Sequence, residues 1–211
     1  MKTRTKILLP LVLAFLGYCA TSRATITNAS WTDDGDGAIV CSWWQFNLNA
    51  STLKMTGNEY MAGAAHMIGT VQTTDPTDPT LYLGSAVDND TGFAWTSYQV
   101  NVYMSAPFTI VSGTPYVDNV PAGDWSVSPT TYQSSSEFPT EPYEATIDLT
   151  GGTPVQIGGE LDFGYAIHFG SSTDYAFTQE MIPVPEPGDL GLASALLFGG
   201  IELVKRLRKK S

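Results

Sequence analysis

Lysine and arginine are almost missing from the middle of this 211-residue chain. Nine of the ten lie at or before Arg23 or at or after Lys205, which leaves Lys54 alone between them. Eighteen acids fall between Thr25 and Ile182, so that stretch carries a net charge near −17, which the whole-chain value of −11 conceals. A surface this acidic excludes nucleic acid, whose binding depends on cations that neutralise phosphate. Bare anionic lipid and acidic polysaccharide are excluded too unless a cation bridges them. Histidine is scarce as well, with only His66 and His168 present. Two histidines do not make a His/Cys transition-metal cluster. Neither accompanies a Gly-x-Ser-x-Gly elbow, so a hydrolytic triad is not expected. Of the two cysteines, Cys19 lies in the leader described below, which leaves Cys41 single and excludes an intramolecular disulfide. Cys41 sits in a strand-like run, Ala38 to Phe46, where a buried structural thiol is expected. No fixed-period repeat and no amphipathic helical pattern appear between residues 25 and 182.

The two ends are organised differently from the middle. Lys2, Arg4 and Lys6 form a basic start, Ile7 to Leu16 an apolar run, and Ser22-Arg23-Ala24 a small-residue cleavage site. Residues 1–24 therefore read as a signal peptide, removed by signal peptidase after Ala24. At the other end, Val184-Pro185-Glu186-Pro187 is stiffened by its two prolines. Asp189 occupies an N-cap position for an apolar segment that runs to Val204. Lys205, Arg206, Arg208, Lys209 and Lys210 close it as a basic stop. A transmembrane helix over residues 189–204 is short for a bilayer of about 30 Å, and the terminal cations can snorkel to the interface. Cations at both ends keep those ends cytoplasmic, so the middle is translocated.

The order of proline-rich motif, short membrane helix and basic terminus resembles the PEP-CTERM sorting signal of Gram-negative bacteria. That resemblance covers residues 183–211, and Pro185, Glu186 and Pro187 match the recognition element. It implies an exosortase as partner, transient anchoring in the inner membrane, and delivery to the outer envelope or extracellular matrix alongside exopolysaccharide or biofilm material. Asn89 to Tyr98 also resembles a stretch found in exported proteins of this group, where it forms a sandwich edge without assigned chemistry. An uncleaved C-terminal anchor is the competing reading of the tail.

The exported unit, residues 25–182, is long enough for one domain. Strands are expected over Ala38 to Phe46, Leu81 to Val87, Phe93 to Met104, Phe108 to Val111, Tyr143 to Leu149, Val155 to Ile157, Leu161 to Phe169 and Tyr175 to Met181. Within them Tyr98, Val100, Val102 and Met104 share one face, as do Leu161, Phe163, Tyr165, Ile167 and Phe169. Tyr60 to Ile68 fits either a strand or a short helix, and Pro121 to Pro142 reads as a long surface loop. The fold expected is all-β, an antiparallel, jelly-roll-like β-sandwich between a signal-peptide helix and a transmembrane helix.

For chemistry the middle offers acids and aromatics. A glycosidase needs two carboxylates flanking a bond, and Asp148, Glu160 and Asp162 are available, but acids are too abundant here for a pair to single itself out. No enzymatic activity is expected. Calcium is the one cofactor left open, because Asp33, Asp34 and Asp36, and again Asp88, Asn89 and Asp90, put oxygen ligands on tight turns. Neither completes an EF-hand loop, and turn aspartates cap their own backbone without any metal. Among the five tryptophans, Trp43 and Trp44 are adjacent on a strand and point to opposite faces, so at most one belongs to the core. An exposed tryptophan opens a second function, that of a carbohydrate-binding module. The primary expectation remains an exported, non-enzymatic envelope or matrix protein.

Overall fold

A computed structural model describes residues 24–77, 79–118, 125–128 and 130–185. The expected signal peptide up to Arg23, and Glu186, Pro187, the apolar segment and the basic stop, lie outside the described residues. Thirteen strands follow in chain order: β1 (Ile26–Asp33), β2 (Ile39–Asn47), β3 (Thr52–Glu59), β4 (Ala65–Thr73), β5 (Thr80–Asn89), β6 (Trp95–Met104) and β7 (Phe108–Ile110). They continue with β8 (Tyr116–Asp118), β9 (Ser126–Val127), β10 (Thr131–Ser134), β11 (Tyr143–Val155), β12 (Glu160–Phe169) and β13 (Asp174–Pro185). No helix occurs among the described residues. The ambiguous Tyr60 to Ile68 stretch resolves into a turn and the start of β4.

The strands form two sheets. The first runs β1-β4-β13-β6-β11-β10, with β9 also paired to β11, and the second runs β2-β3-β5-β12-β7, with β8 also paired to β12. Both sheets end in short strand pieces on one side, β9 with β10 and β7 with β8, which limits the unpaired edge each sheet presents. The Pro121 to Pro142 stretch is thus not wholly a loop, since β9 and β10 lie within it. Its polar sequence hides them, because edge strands need no apolar alternation. One pairing departs from the antiparallel expectation: β3 and β5 run parallel. Between them the chain crosses to the first sheet as β4, and a crossover is what a parallel pair requires.

Both inward faces merge into one apolar cluster. Tyr98, Val100, Val102 and Met104 of β6 and Leu161, Phe163, Tyr165, Ile167 and Phe169 of β12 are all buried in it, as their alternation requires. Gly69 of β4 lies in register with Trp31 and Phe177. A Cβ there would stand 2.2 Å from the Phe177 ring, so only glycine lets that ring lie flat on the strand. Two polar ties cross the interior. Tyr98 donates to Glu59, and Tyr165 donates to Gln179 Oε1 (2.6 Å), whose amide reaches Ser85 (3.1 Å). Each tie joins one sheet to the other.

Candidate functional site

The outward face of the second sheet gathers an unusual set of side chains, and register explains how. β3, β5, β12 and β8 align Lys54, Gly84, Gly164 and Tyr116 in one row. The next row toward one end places Thr52, Tyr82 and Ala166 side by side. In the row on the opposite side stand Trp43, Thr56, Ala86, Asp162 and Asp118. The two glycines make the sheet bare at its centre. The Tyr116 ring crosses over Gly164, where a Cβ would come within 2.6 Å of it, and its hydroxyl extends over Gly84. From the other side the Lys54 stem lies against Gly84, 3.5 Å from the Cβ position. The result is an open trough of about 380 Å³ with Tyr82, Tyr116, Thr52, Thr114 and Lys54 on its walls. Tyr82 is 49% exposed and Tyr116 43%, so two aromatic faces stand in solvent beside a flat floor.

A band of carboxylates borders the trough. Burial raises the pKa of Asp162, and Asp118 and Glu160 beside it add to the rise, against the pull of Lys54. Asp88 is likewise raised by burial and by Glu160 and Asp90. The Tyr116 hydroxyl is raised first by burial, then by Asp162 and Asp118. The single lysine between residues 25 and 182 therefore stands inside an acidic field, at the centre of a face that displays aromatic rings on a glycine floor.

Of the two adjacent tryptophans neither belongs to the core, within the limit of at most one that their alternation sets. Trp31, Trp95 and Trp125 are buried, while Trp43 and Trp44 are both exposed, at 49% and 44%. A bulge at Ser42 shifts the register, so Trp43 opposes Thr56 on the outward face and Trp44 opposes Met55 on the inward side. Trp44 is nonetheless uncovered because β2 is the edge of its sheet. Cys41 is half-buried, its thiol raised by burial and donating to the Trp43 carbonyl at 3.4 Å.

No family model, curated protein or solved structure matches this chain. Its residues must speak for themselves.

The predicted acidic sites are rearranged by the fold. Asp33 turns to the backbone N–H of Cys41 (2.9 Å), away from Asp34 and Asp36, and those two meet His66 instead. At the second turn Asn89 is fully buried and spends its side chain on Thr91, Phe93 and Val155, while Asp88 and Asp90 both accept from the Asn58 amide. His168 faces outward against Thr80, its Nδ1 3.1 Å from the hydroxyl. The glycosidase trio is divided between sheets. Glu160 and Asp162 lie outward on the second, and Asp148 lies on the first, held by Gln99 at 2.9 Å.

Sequence reading missed a polar cleft of about 530 Å³ on the outward face of the first sheet, lined by Asn101, Tyr103, Gln133, Glu137, Glu144 and Glu180 among others. Tyr103 donates to Glu180 Oε2 (2.9 Å) and lies 3.2 Å from Glu137 Oε2, while the Asn101 amide donates to the same Glu180 oxygen at 2.6 Å. Burial raises the Tyr103 hydroxyl first, with Glu180 next in effect. Asn101, Tyr103, Gln133, Glu144 and Glu180 hold outward positions on their strands, and Glu137 lies in the segment between β10 and β11. What brings them together is register across β10, β11, β6 and β13, which one sequence does not display.

Proposed function

We propose that this chain is an exported, non-enzymatic β-sandwich protein of the cell envelope or extracellular matrix that holds non-acidic polysaccharide on the trough of its second sheet. The observation that carries the reading is the glycine-floored trough with Tyr82 and Tyr116 exposed along it. Sugar rings offer apolar faces that lie on aromatic rings, while their hydroxyls take hydrogen bonds at the margin. Thr52, Thr114, Lys54 and Asp162 supply such groups here. Acidic polymers are disfavoured by the carboxylate band, so the occupant is neutral or amine-bearing. We read the sandwich as jelly-roll-like, because successive strands repeatedly cross between the two sheets. Export and sorting rest on the two terminal signals, with signal peptidase and an exosortase as the processing partners.

The trough is tested by retention on neutral polysaccharides in affinity electrophoresis. Tyr82→Ala and Tyr116→Ala are each expected to weaken retention about tenfold, which equals one lost aromatic contact of about 1.4 kcal/mol. Tyr143→Ala, on the other sheet, leaves it unchanged. Equal retention by all three variants would remove the trough from the reading.

A further inference from the structure

The turn between β1 and β2 hangs beside β4 and brings Asp34 and Asp36 up to His66, with their carboxylate oxygens and a ring nitrogen all within 4.8 Å of one another. The turn is held by its own aspartates: Asp34 Oδ1 accepts from the Asp36 N–H (3.0 Å) and Asp36 Oδ1 from the Ala38 N–H (2.7 Å). Both backbone reversals fall on glycine, Gly35 at φ 80° and Gly37 at φ 83°, conformations that side chains resist. His66 is fixed from three sides. Its Nδ1 lies 3.1 Å from Asp34 Oδ2, its Nε2 3.4 Å from Glu180 Oε1, and the Phe138 ring meets it edge-on at 5.5 Å.

The Glu180 contact makes this more than a group of acids on a turn. Glu180 is 3% exposed, sits directly across from His66 on β13, and has its other oxygen held by Asn101 and Tyr103. Water cannot readily serve a carboxylate oxygen so placed, so the imidazole N–H belongs on Nε2, pointing at Glu180. Nδ1 is left facing Asp34 Oδ2 at 3.1 Å, a gap that a second ring proton closes as an ion pair and that a metal ion closes by displacing that proton. A buried carboxylate that orients the remote nitrogen of a histidine is the usual outer support of a metal-binding imidazole.

We propose that Asp34, Asp36 and His66 bind a first-row divalent transition metal, with Glu180 positioning His66 and Phe138 covering its ring. One imidazole nitrogen and two carboxylates suit Zn²⁺, which accepts such a mixed set at about 2.0–2.2 Å after a small side-chain rotation. Calcium is disfavoured, since it requires six to eight oxygen ligands. The metal ties the β1–β2 turn to β4, on the opposite sheet from the sugar trough, so the two sites succeed or fail separately.

The test is calorimetric titration of the full chain, in mild detergent, with Zn²⁺ and separately with Ca²⁺. One Zn²⁺ per chain is expected, binding more tightly than Ca²⁺, and His66→Gln and Asp34→Asn abolish it. Glu180→Gln keeps all three ligands and weakens binding about 10–100-fold, an effect that a purely structural contact would not produce. Titration with Co²⁺ of the unsubstituted chain adds a visible d–d absorption signature of nitrogen and oxygen ligation, which does not depend on any variant folding. His168→Gln should bind normally, and polysaccharide retention should be unaffected by zinc. Absence of Zn²⁺ and Co²⁺ binding overturns the proposal. So does Zn²⁺ binding that survives His66→Gln in a folded protein, or tighter binding of Ca²⁺.

Discussion

Glu59 sits on β3 with no exposed surface and faces Tyr98 of the other sheet, which donates to one of its oxygens while the second has no partner. Burial pushes its pKa up to about 8 from an ordinary 4.5, although the Tyr98 hydrogen bond works the other way. The folded chain therefore keeps a proton that the unfolded chain releases between about pH 4.5 and 8. Because the folded state holds the extra proton, this contribution is fully present on the acid side and is lost as pH rises through that window. Unfolding by urea is expected to show stability falling by a few kcal/mol between pH 5 and 9. Glu59→Gln, which keeps the shape and removes the charge, should flatten most of that slope; an unchanged slope would place the proton elsewhere. Glu59 was partly legible beforehand. Leu53, Met55 and Gly57 share its parity on the strand, but Lys54, Thr56 and Asn58 between them hide the alternation from a reader seeking apolar runs.

Strands with strong alternation on one face were readable without any structure, as β6 and β12 show, while β1 and β3 were not, because polar residues interrupt them. The sites were less readable than the strands. Trp43 gave its exposure away by sitting beside Trp44, yet Tyr82 and Tyr116 become neighbours only through β12, which lies between their strands. His66, Asp34 and Glu180 come from β4, the first turn and β13, and nothing in the chain pairs those positions in advance. β13 also runs further than its sequence implied. The expected strand stopped at Met181 and the domain at Ile182, whereas pairing with β6 continues through Val184 and Pro185, and the Thr96 hydroxyl donates to both of their carbonyls (3.3 and 3.4 Å). Pairing with β4 ends at Met181, so from Ile182 onward only one flank is paired, where a proline without N–H is tolerated. A chain stopped after Ile182 should therefore be less stable than one stopped after Pro185, by about 1–2 kcal/mol in thermal or chemical unfolding. Equal stability would show these last pairings to be weightless.

For the whole molecule, charge and topology point the same way. A stretch with one lysine against eighteen acids repels anionic neighbours and keeps copies of the folded unit apart. Mass spectrometry of the secreted protein should find Thr25 at the N-terminus and a C-terminus upstream of Ser211; a mass ending at Ser211 would remove processing of the tail. Val184 and Pro185 of the proline-rich motif are built into the first sheet as the last residues of β13, ahead of the chain that follows. Any pull on that following chain enters at β13, which from Asp174 to Met181 is bonded to β4 on one flank and β6 on the other. Tension along the strand must shear both ladders together instead of peeling one edge bond at a time. The strand is thereby held between its neighbours as a rope is clamped between two jaws, and the fold resists force best along the axis of β13.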